Sequence, residues 1–88
     1  MAENMASTYI LYSKKTNRFY TGSSRTDAVS RLLAHNAGHT RSTKSGRPWT
    51  LIHEEHKATY ADALKREVYL KSGVGRKLVS ENFGSLKN

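Results

Sequence analysis

The sequence predicts an α+β fold, a small three-stranded and mostly antiparallel sheet flanked by helices. Three short runs are rich in β-branched and aromatic residues, as strands are. A short polar connection, Lys14–Asn17, separates the first two runs and favours an antiparallel hairpin. Two longer segments carry apolar residues three and four positions apart, a spacing typical of helices that pack on a sheet.

The strands are expected at Thr8–Tyr12, at Arg18–Thr21 and at Trp49–His56. Gly22 directly follows the second run and is expected to allow close approach of a ligand to the backbone. The residues between the first helix and the third strand, Gly38–Arg47, are basic and small and predict a loop.

The first helix is expected over Ala28–Asn36, with Asp27 as its N-cap and Gly38 as its stop signal. Its core-facing residues would be Val29, Leu32 and Leu33.

The second helix is expected over Tyr60–Lys71, where Thr59 provides the N-cap and Gly73 the stop signal. Leu64 and Val68 define its apolar stripe. A short last helix over Arg76–Val79 and loose terminal ends complete the expected order, with Glu81–Asn88 as the loose C-terminal end.

Length and composition fit one domain over residues 1–88, with a core at about 7–79. The chain has no cysteine, which excludes disulfides and thiolate metal sites. No apolar run approaches the ~20 residues of a membrane span. Residues Met1–Ser7 lack the apolar stretch of a signal peptide, so a cytoplasmic protein is expected.

Charge points to a polyanionic partner. Fifteen Lys and Arg oppose seven Asp and Glu, which gives a net charge of +8. The first half is the more basic, because Asp27 is the only acid between Glu3 and Glu54. Nucleic acid is the simplest partner for such a distribution, although a merely basic protein would share it.

Glu67 stands beside the expected apolar stripe of the second helix. A carboxylate in that position is costly unless it is paired or bound to a metal. The residues alone leave two interpretations open: a metal ligand, or an edge residue that pairs with Lys71 one turn later. The scarcity of other well-placed acids favours one metal ion over two, since Mg²⁺ can use one carboxylate, substrate oxygens and waters.

Arg31 and His35 are four residues apart and share a helix face, expected to lean away from Leu32 and Leu33. Arginine suits a phosphate and histidine can move a proton near neutral pH, but two solvated residues would have the same spacing. Tyr9 and Tyr20 lie on paired strands, where tyrosines commonly serve as packing residues. The other interpretation is a phosphate site in which a tyrosine accepts a proton as its phenolate, a form that Arg31 and a metal would favour.

These residues together resemble the GIY-YIG nuclease domain, in particular its small stand-alone bacterial members and the incision domain of the excision-repair nuclease. The first motif tyrosine is Tyr9 in Ser7-Thr8-Tyr9, and the second motif is Tyr20-Thr21-Gly22. Ser7-Thr8 replaces Gly-Ile and Thr21 replaces Ile in these motifs. The family's arginine, histidine and glutamate match Arg31, His35 and Glu67, and the resemblance spans residues 7–79.

The resemblance implies a metal-dependent endonuclease that hydrolyses DNA phosphodiesters, in DNA repair or processing. It implies catalytic roles for Tyr9, Tyr20, Arg31, His35 and Glu67, with Glu67 binding Mg²⁺ or Mn²⁺. The flanking backbone would contact basic residues, for which the expected set is Lys14, Lys15, Arg25, Arg41, Lys44 and Arg47.

Two alternatives to this enzyme stay open. The chain could be a nucleic-acid-binding module without useful turnover, or a nuclease subunit that needs a protein partner for specificity. The first predicts binding without metal-dependent cleavage, and the second predicts an isolated chain that is nearly inert.

Overall fold

The computed structural model describes residues 6–87, which form one three-stranded sheet with helices on both faces. The strands are β1 (Ala6–Ser13), β2 (Arg18–Ser24) and β3 (Trp49–Lys57). The helices are α1 (Ala28–Asn36), α2 (Tyr60–Lys71) and α3 (Gly73–Phe83), with short 3₁₀ helices at Arg41–Gly46 and Gly84–Leu86. The predicted fold class is confirmed.

β1 is the central strand of the sheet. The order is β2-β1-β3, and both pairings are antiparallel. All eight residues of β1 are buried, whereas β2 and β3 each have a free edge. β2 therefore brings its side chains to a border of the sheet where a ligand can approach.

The two faces of the sheet carry separate hydrophobic clusters. Tyr9 and Leu11 pack with Ala28 of α1 and with Trp49 on one face. On the other face, Ile10 packs with residues of α2 and α3, namely Leu70 and Val79. Since successive side chains of a strand point to opposite faces, β1 supplies both clusters.

The expected core faces of the helices were partly wrong. Val29 and Leu33 are 52% and 66% exposed, and Leu64 and Val68 are 39% and 70% exposed. Leu32 alone of the expected set in α1 packs against the core. The buried residues of α1 are instead Ala28 and the polar His35, and those of α2 are Ala63 and Leu70.

Three of the four predicted helix-end signals are confirmed, whereas Gly73, the predicted stop of the second helix, is the first residue of α3, and Ser72 ends α2. The Asp27 carboxylate accepts a hydrogen bond from the amide of Ser30 at 2.9 Å, and the Thr59 hydroxyl accepts one from the amide of Asp62 at 3.1 Å. Gly38 closes α1 with a φ of +84°, a conformation that glycine adopts without strain.

The C-terminal part is more ordered than expected. α3 is eleven residues long, and its N-cap, Ser72, also ends α2. Gly75 lets the two helices meet closely, because a Cβ there would fall on the carbonyl oxygen of Tyr69. The Tyr12 hydroxyl donates a hydrogen bond to the carbonyl of Leu86 at 3.0 Å, so the segment predicted to be loose is attached to the sheet.

The predicted loose N-terminal end lies mostly outside the described residues. Across residues 6–87, every helix is too short or too polar to cross a membrane.

Candidate active site

The hairpin places Tyr9 and Tyr20 on the same face of the sheet. Tyr9 opposes Gly22, and Leu11 opposes Tyr20 in the β1–β2 register. Directly opposed residues of an antiparallel pair share a face, so both tyrosines point toward α1. Tyr9 is 1% exposed, whereas Tyr20 is half-buried at the free edge.

Gly22 permits the path of the Tyr9 side chain. A Cβ at Gly22 would lie 2.5 Å from the Tyr9 hydroxyl oxygen and 3.1 Å from the Tyr20 ring. The phenol therefore crosses over the glycine toward the edge of the sheet. The expectation that Gly22 admits a ligand was incomplete, since the group that occupies this space is the Tyr9 side chain itself.

Helix α1 brings His35 to the Tyr9 hydroxyl. His35 is fully buried, and its Nε2 lies 2.9 Å from the phenol oxygen. The expectation that His35 leans away from the core was therefore wrong. The inward face of α1 buries Ala28 and His35, and Leu32 packs against the same cluster, so this face meets both the sheet and the Tyr9 hydroxyl.

Thr43 determines which nitrogen of His35 carries the proton. Its hydroxyl oxygen lies 2.8 Å from Nδ1 of His35 and donates its own proton to the carbonyl of Thr40 at 3.2 Å. The hydroxyl thus accepts from Nδ1–H, which leaves Nε2 of the neutral ring as an acceptor for Tyr9. The result is a continuous chain of hydrogen bonds from the phenol to the backbone.

Trp49 fixes the segment that carries Thr43. The indole Nε1 donates to the Thr43 carbonyl at 2.8 Å, and the ring centroid lies 6.2 Å from that of Tyr20. The Tyr20 ring in turn meets His35 edge-on, with centroids 4.9 Å apart. These contacts restrict the rotation of the imidazole from both sides.

Burial controls the protonation of this pair. It raises the pKa of Tyr9, and the guanidinium of Arg31 beside the phenol opposes but does not reverse that shift. Burial, aided by the positive charge of Arg31, lowers the pKa of His35. Arg31 by itself favours the phenolate, as predicted, but burial outweighs its charge, so at neutral pH Tyr9 is a phenol beside a neutral imidazole.

Glu67 lies on the inward side of α2, between Ala63 and Leu70. Its side chain is 19% exposed. One carboxylate oxygen accepts from the Ser23 hydroxyl at 2.6 Å, and the other accepts from Lys71 Nζ at 2.7 Å. The i,i+4 pair that the sequence offered as one interpretation is thus present, but the contact with β2 brings the carboxylate to the edge of the sheet as well.

The Glu67 carboxylate and the Tyr9 phenol approach the edge strand β2 from opposite faces of the sheet. Ser23 follows Gly22 and points to the α2 face, so Glu67 reaches β2 from one face while Tyr9 reaches it from the other. Lys71 Nζ lies 5.4 Å from the centroid of the Tyr20 ring, and the Glu67 charge contributes to the raised pKa of Tyr9. Groups distant in sequence therefore converge at this edge.

The donor set around Glu67 fits one hard cation held largely by water and substrate. Across residues 6–87, no group of three or more His, Cys, Asp or Glu converges as a metal cage would require. Glu67 offers two oxygens, already facing an ammonium cation and a hydroxyl. Mg²⁺ is commonly held by one or two carboxylates with substrate phosphates and waters, which matches this arrangement.

The expected nucleic-acid-binding residues occupy three separate places. Lys14 and Lys15 lie in the β1–β2 turn, and the Arg25 guanidinium stacks 4.1 Å from the centroid of the Tyr60 ring. The remaining three belong to the segment that carries Thr43 or directly follow it, namely Arg41, Lys44 and Arg47.

The sequence predicts no role for Ser23 and Thr43, and it offers Lys71 only as a partner of Glu67. Strand alternation after Gly22 gives a signal for Ser23, because it assigns this hydroxyl to the face opposite Tyr9. Helical spacing relates Lys71 to Glu67, but only as a surface pair. Nothing local marks Thr43, which meets His35 through the packing of a 3₁₀ helix against α1.

Comparison with known proteins finds a matching family model and a curated relative. A family model described as the GIY-YIG catalytic domain matches residues 5–79. A UPF0213 protein of Staphylococcus haemolyticus (strain JCSC1435) is 36% identical over 70 residues, which cover 77% of this chain and 84% of that relative. No solved structure gives a significant match to the chain.

Proposed function

Because the chain belongs to the GIY-YIG family, whose catalytic domain is a nuclease domain that acts on nucleic acid, we propose that it is a metal-dependent endonuclease that hydrolyses DNA in repair or processing. The observation that carries this proposal is the Tyr9–His35 hydrogen bond of 2.9 Å on one face of the edge strand β2, with the Glu67 carboxylate bound to Ser23 on the other face.

Tyr9 and His35 would act together as the proton acceptor. A neutral phenol is a weak base, but its oxygen can take a proton from the attacking water while its own proton passes to Nε2 of His35. The lowered pKa of His35 supports this role, since the free lone pair on Nε2 is present at neutral pH. Thr43 would hold the required tautomer through Nδ1.

Glu67 and Arg31 would handle the charge on the phosphate. Glu67 would hold one Mg²⁺ or Mn²⁺, which when bound stabilises the negative charge that develops on the leaving oxygen. Arg31, beside the Tyr9 phenol, would stabilise the charge on the non-bridging oxygens. Tyr20 would position the phosphate or the water from the exposed end of the site.

A cleavage panel tests the proposal. Wild type, Tyr9→Phe, Arg31→Ala and Glu67→Gln are incubated with labelled single-stranded, nicked and branched DNA and with RNA, in Mg²⁺, Mn²⁺ or a chelator. We expect cleavage by wild type with metal only, and at least a hundredfold loss in each variant. Glu81→Gln, an exposed carboxylate change on α3, is the matched control and should cleave like wild type.

Two results would contradict the proposal. Full activity of both Arg31→Ala and Glu67→Gln would remove the assigned site. Tight DNA binding without cleavage of any substrate, in every metal, would favour the non-catalytic binding module instead.

A further inference from the structure

A groove adjoins the candidate active site along the free edge of β2. Its cavity volume is about 800 Å³, and its walls come from the β1–β2 turn, β2, the end of α2, α3 and the C-terminal segment. Tyr20 and Lys71 line this groove and also belong to the site, so the two are continuous.

The charged side chains that line the groove are all basic: Arg18, Lys71, Arg76 and Lys87. Among the ion pairs found within residues 6–87, none involves Arg18, Arg76 or Lys87. Lys71 is the exception, since it pairs with Glu67 at the end of the groove next to the site. Three cations without a carboxylate partner on one concave surface favour a polyanionic ligand over a neutral one.

The groove also contains aromatic surface. Phe19 and Tyr20 line it and are both half-buried, and Lys87 Nζ lies 5.2 Å from the centroid of the Phe19 ring. A basic groove with aromatic rings is the usual construction of a site for single-stranded nucleic acid, where phosphates meet the cations and bases stack on the rings. The volume is that of a small-ligand pocket, which suits a short stretch of one strand.

We propose that this groove binds, as a single strand, the nucleotides next to the scissile phosphate, with Arg18, Arg76 and Lys87 as the backbone contacts. The nucleic-acid strand would enter the groove at Tyr20 and Lys71 and run along β2 toward the hairpin turn. The extended length from Tyr20 to Asn17, about 10 Å at ~3.4 Å per residue, leaves room for one or two phosphates beyond the cleaved one. This inference rests on the proposed nuclease function for its substrate.

The contacts differ from the basic residues that the sequence indicated. Arg18, Arg76 and Lys87 lie far apart in the sequence, and the packing of β2, α3 and the C-terminal segment brings them together. The basic residues that the sequence indicated lie in the hairpin turn, directly after β2, and on the segment around Thr43. The two sets therefore predict different paths for the nucleic acid.

A binding assay without metal tests the groove independently of cleavage. Anisotropy of a labelled 12-nucleotide DNA in a chelator, over a range of salt, compares wild type with the triple variant Arg18→Ala, Arg76→Ala, Lys87→Ala. All three residues are exposed, so the variant should keep the wild-type melting temperature within a few degrees. We expect at least a tenfold weaker affinity and a salt slope smaller by about 0.7–1.4, at roughly 0.7 for each of the one or two phosphates in the groove.

Two control variants make the comparison specific. Lys65→Ala with Lys77→Ala removes two exposed cations from the same helices but outside the groove, and should change affinity less than threefold. Arg41→Ala with Lys44→Ala tests the alternative path. A larger loss in either control than in the groove variant would overturn the proposal.

Two further arms separate the possible results. A blunt duplex of the same length should bind wild type at least tenfold more weakly than the single strand at equal salt, and equal or tighter duplex binding would overturn the single-strand assignment. If the groove variant loses binding while no substrate is cleaved by wild type, the proposed nuclease function fails and the groove stands. If cleavage is normal but the groove variant binds like wild type, the groove fails and the nuclease stands.

Discussion

The hydroxyl of Thr43 lies 2.8 Å from Nδ1 of His35, deep enough that neither residue exceeds 1% exposure. This contact connects a 3₁₀ helix to α1 and orients the imidazole toward Tyr9. Four consequences of the site and its surroundings can be measured.

Thr43→Val should slow cleavage while leaving substrate affinity nearly unchanged. The valine keeps the shape of the side chain but leaves Nδ1–H of His35 buried without an acceptor, at a cost of about 1–3 kcal/mol. Cleavage should fall about tenfold or more, because the wrong tautomer turns a donor toward Tyr9. The ¹⁵N shifts of His35 report the tautomer directly, and Thr43→Ser should restore both. A wild-type tautomer in Thr43→Val would contradict this role.

Gly22→Ala should displace the Tyr9 side chain and abolish most of the cleavage activity. The new Cβ would lie 2.5 Å from the Tyr9 hydroxyl oxygen, so the phenol must leave its place against His35. We expect about 1–3 kcal/mol of destabilisation from overpacking and loss of most cleavage activity. Gly73→Ala is the matched control, since no atom lies within 4 Å of a Cβ there. Chemical denaturation and the cleavage assay measure both effects, and an active Gly22→Ala protein would refute the assigned path of Tyr9.

His35 should make the protein less stable in mild acid. Its pKa is lowered in the folded state, mainly by burial, from the ordinary value of 6.5. The unfolded chain therefore binds more protons than the folded one below that value, and stability falls as the pH decreases from 6.5 through the folded pKa. Melting temperatures between pH 8 and pH 5 measure this loss. His35→Gln should have a flatter profile, and an unchanged slope would place the titration elsewhere.

Glu55 should contribute stability that is lost in stronger acid. Burial raises the pKa of its carboxyl, but hydrogen bonds from Arg66, His53 and Lys57 outweigh that effect and bring the pKa to about 2. The contribution is complete above the ordinary value of 4.5 and is lost as the pH falls toward 2. We expect Glu55→Gln to lower the free energy of unfolding by on the order of 1–2 kcal/mol at pH 7, because the Arg66–Glu55 pair is partly solvated. At pH 2.5 the substitution should lower it only a little.

A control variant separates this network from general acid unfolding. Asp62→Asn changes an exposed carboxylate in the first turn of α2 and should leave the acid limb of the denaturation curve in place. If Glu55→Gln and Asp62→Asn shift the curve equally, the Arg66–Glu55 contact is not the cause.

The sequence by itself determined the order of the strands and helices along the chain, the N-caps Asp27 and Thr59, and the end of α1 at Gly38. Each of these depends on neighbouring residues and on backbone conformations that local chemistry selects. It also supplied the residue types of the site, since the motif order around Tyr9, Tyr20 and Glu67 indicates the family.

The tertiary structure alone decided how those residues face each other. Apolar spacing placed Val29 and Leu33 in the core, whereas both are exposed and His35 is buried, because the face of α1 that meets the sheet contains Ala28, Leu32 and the hydrogen-bonded imidazole. Thr43 and the basic groove along β2 depend on contacts between segments remote in the chain. Such contacts are set by packing across the sheet, and no local pattern contains them.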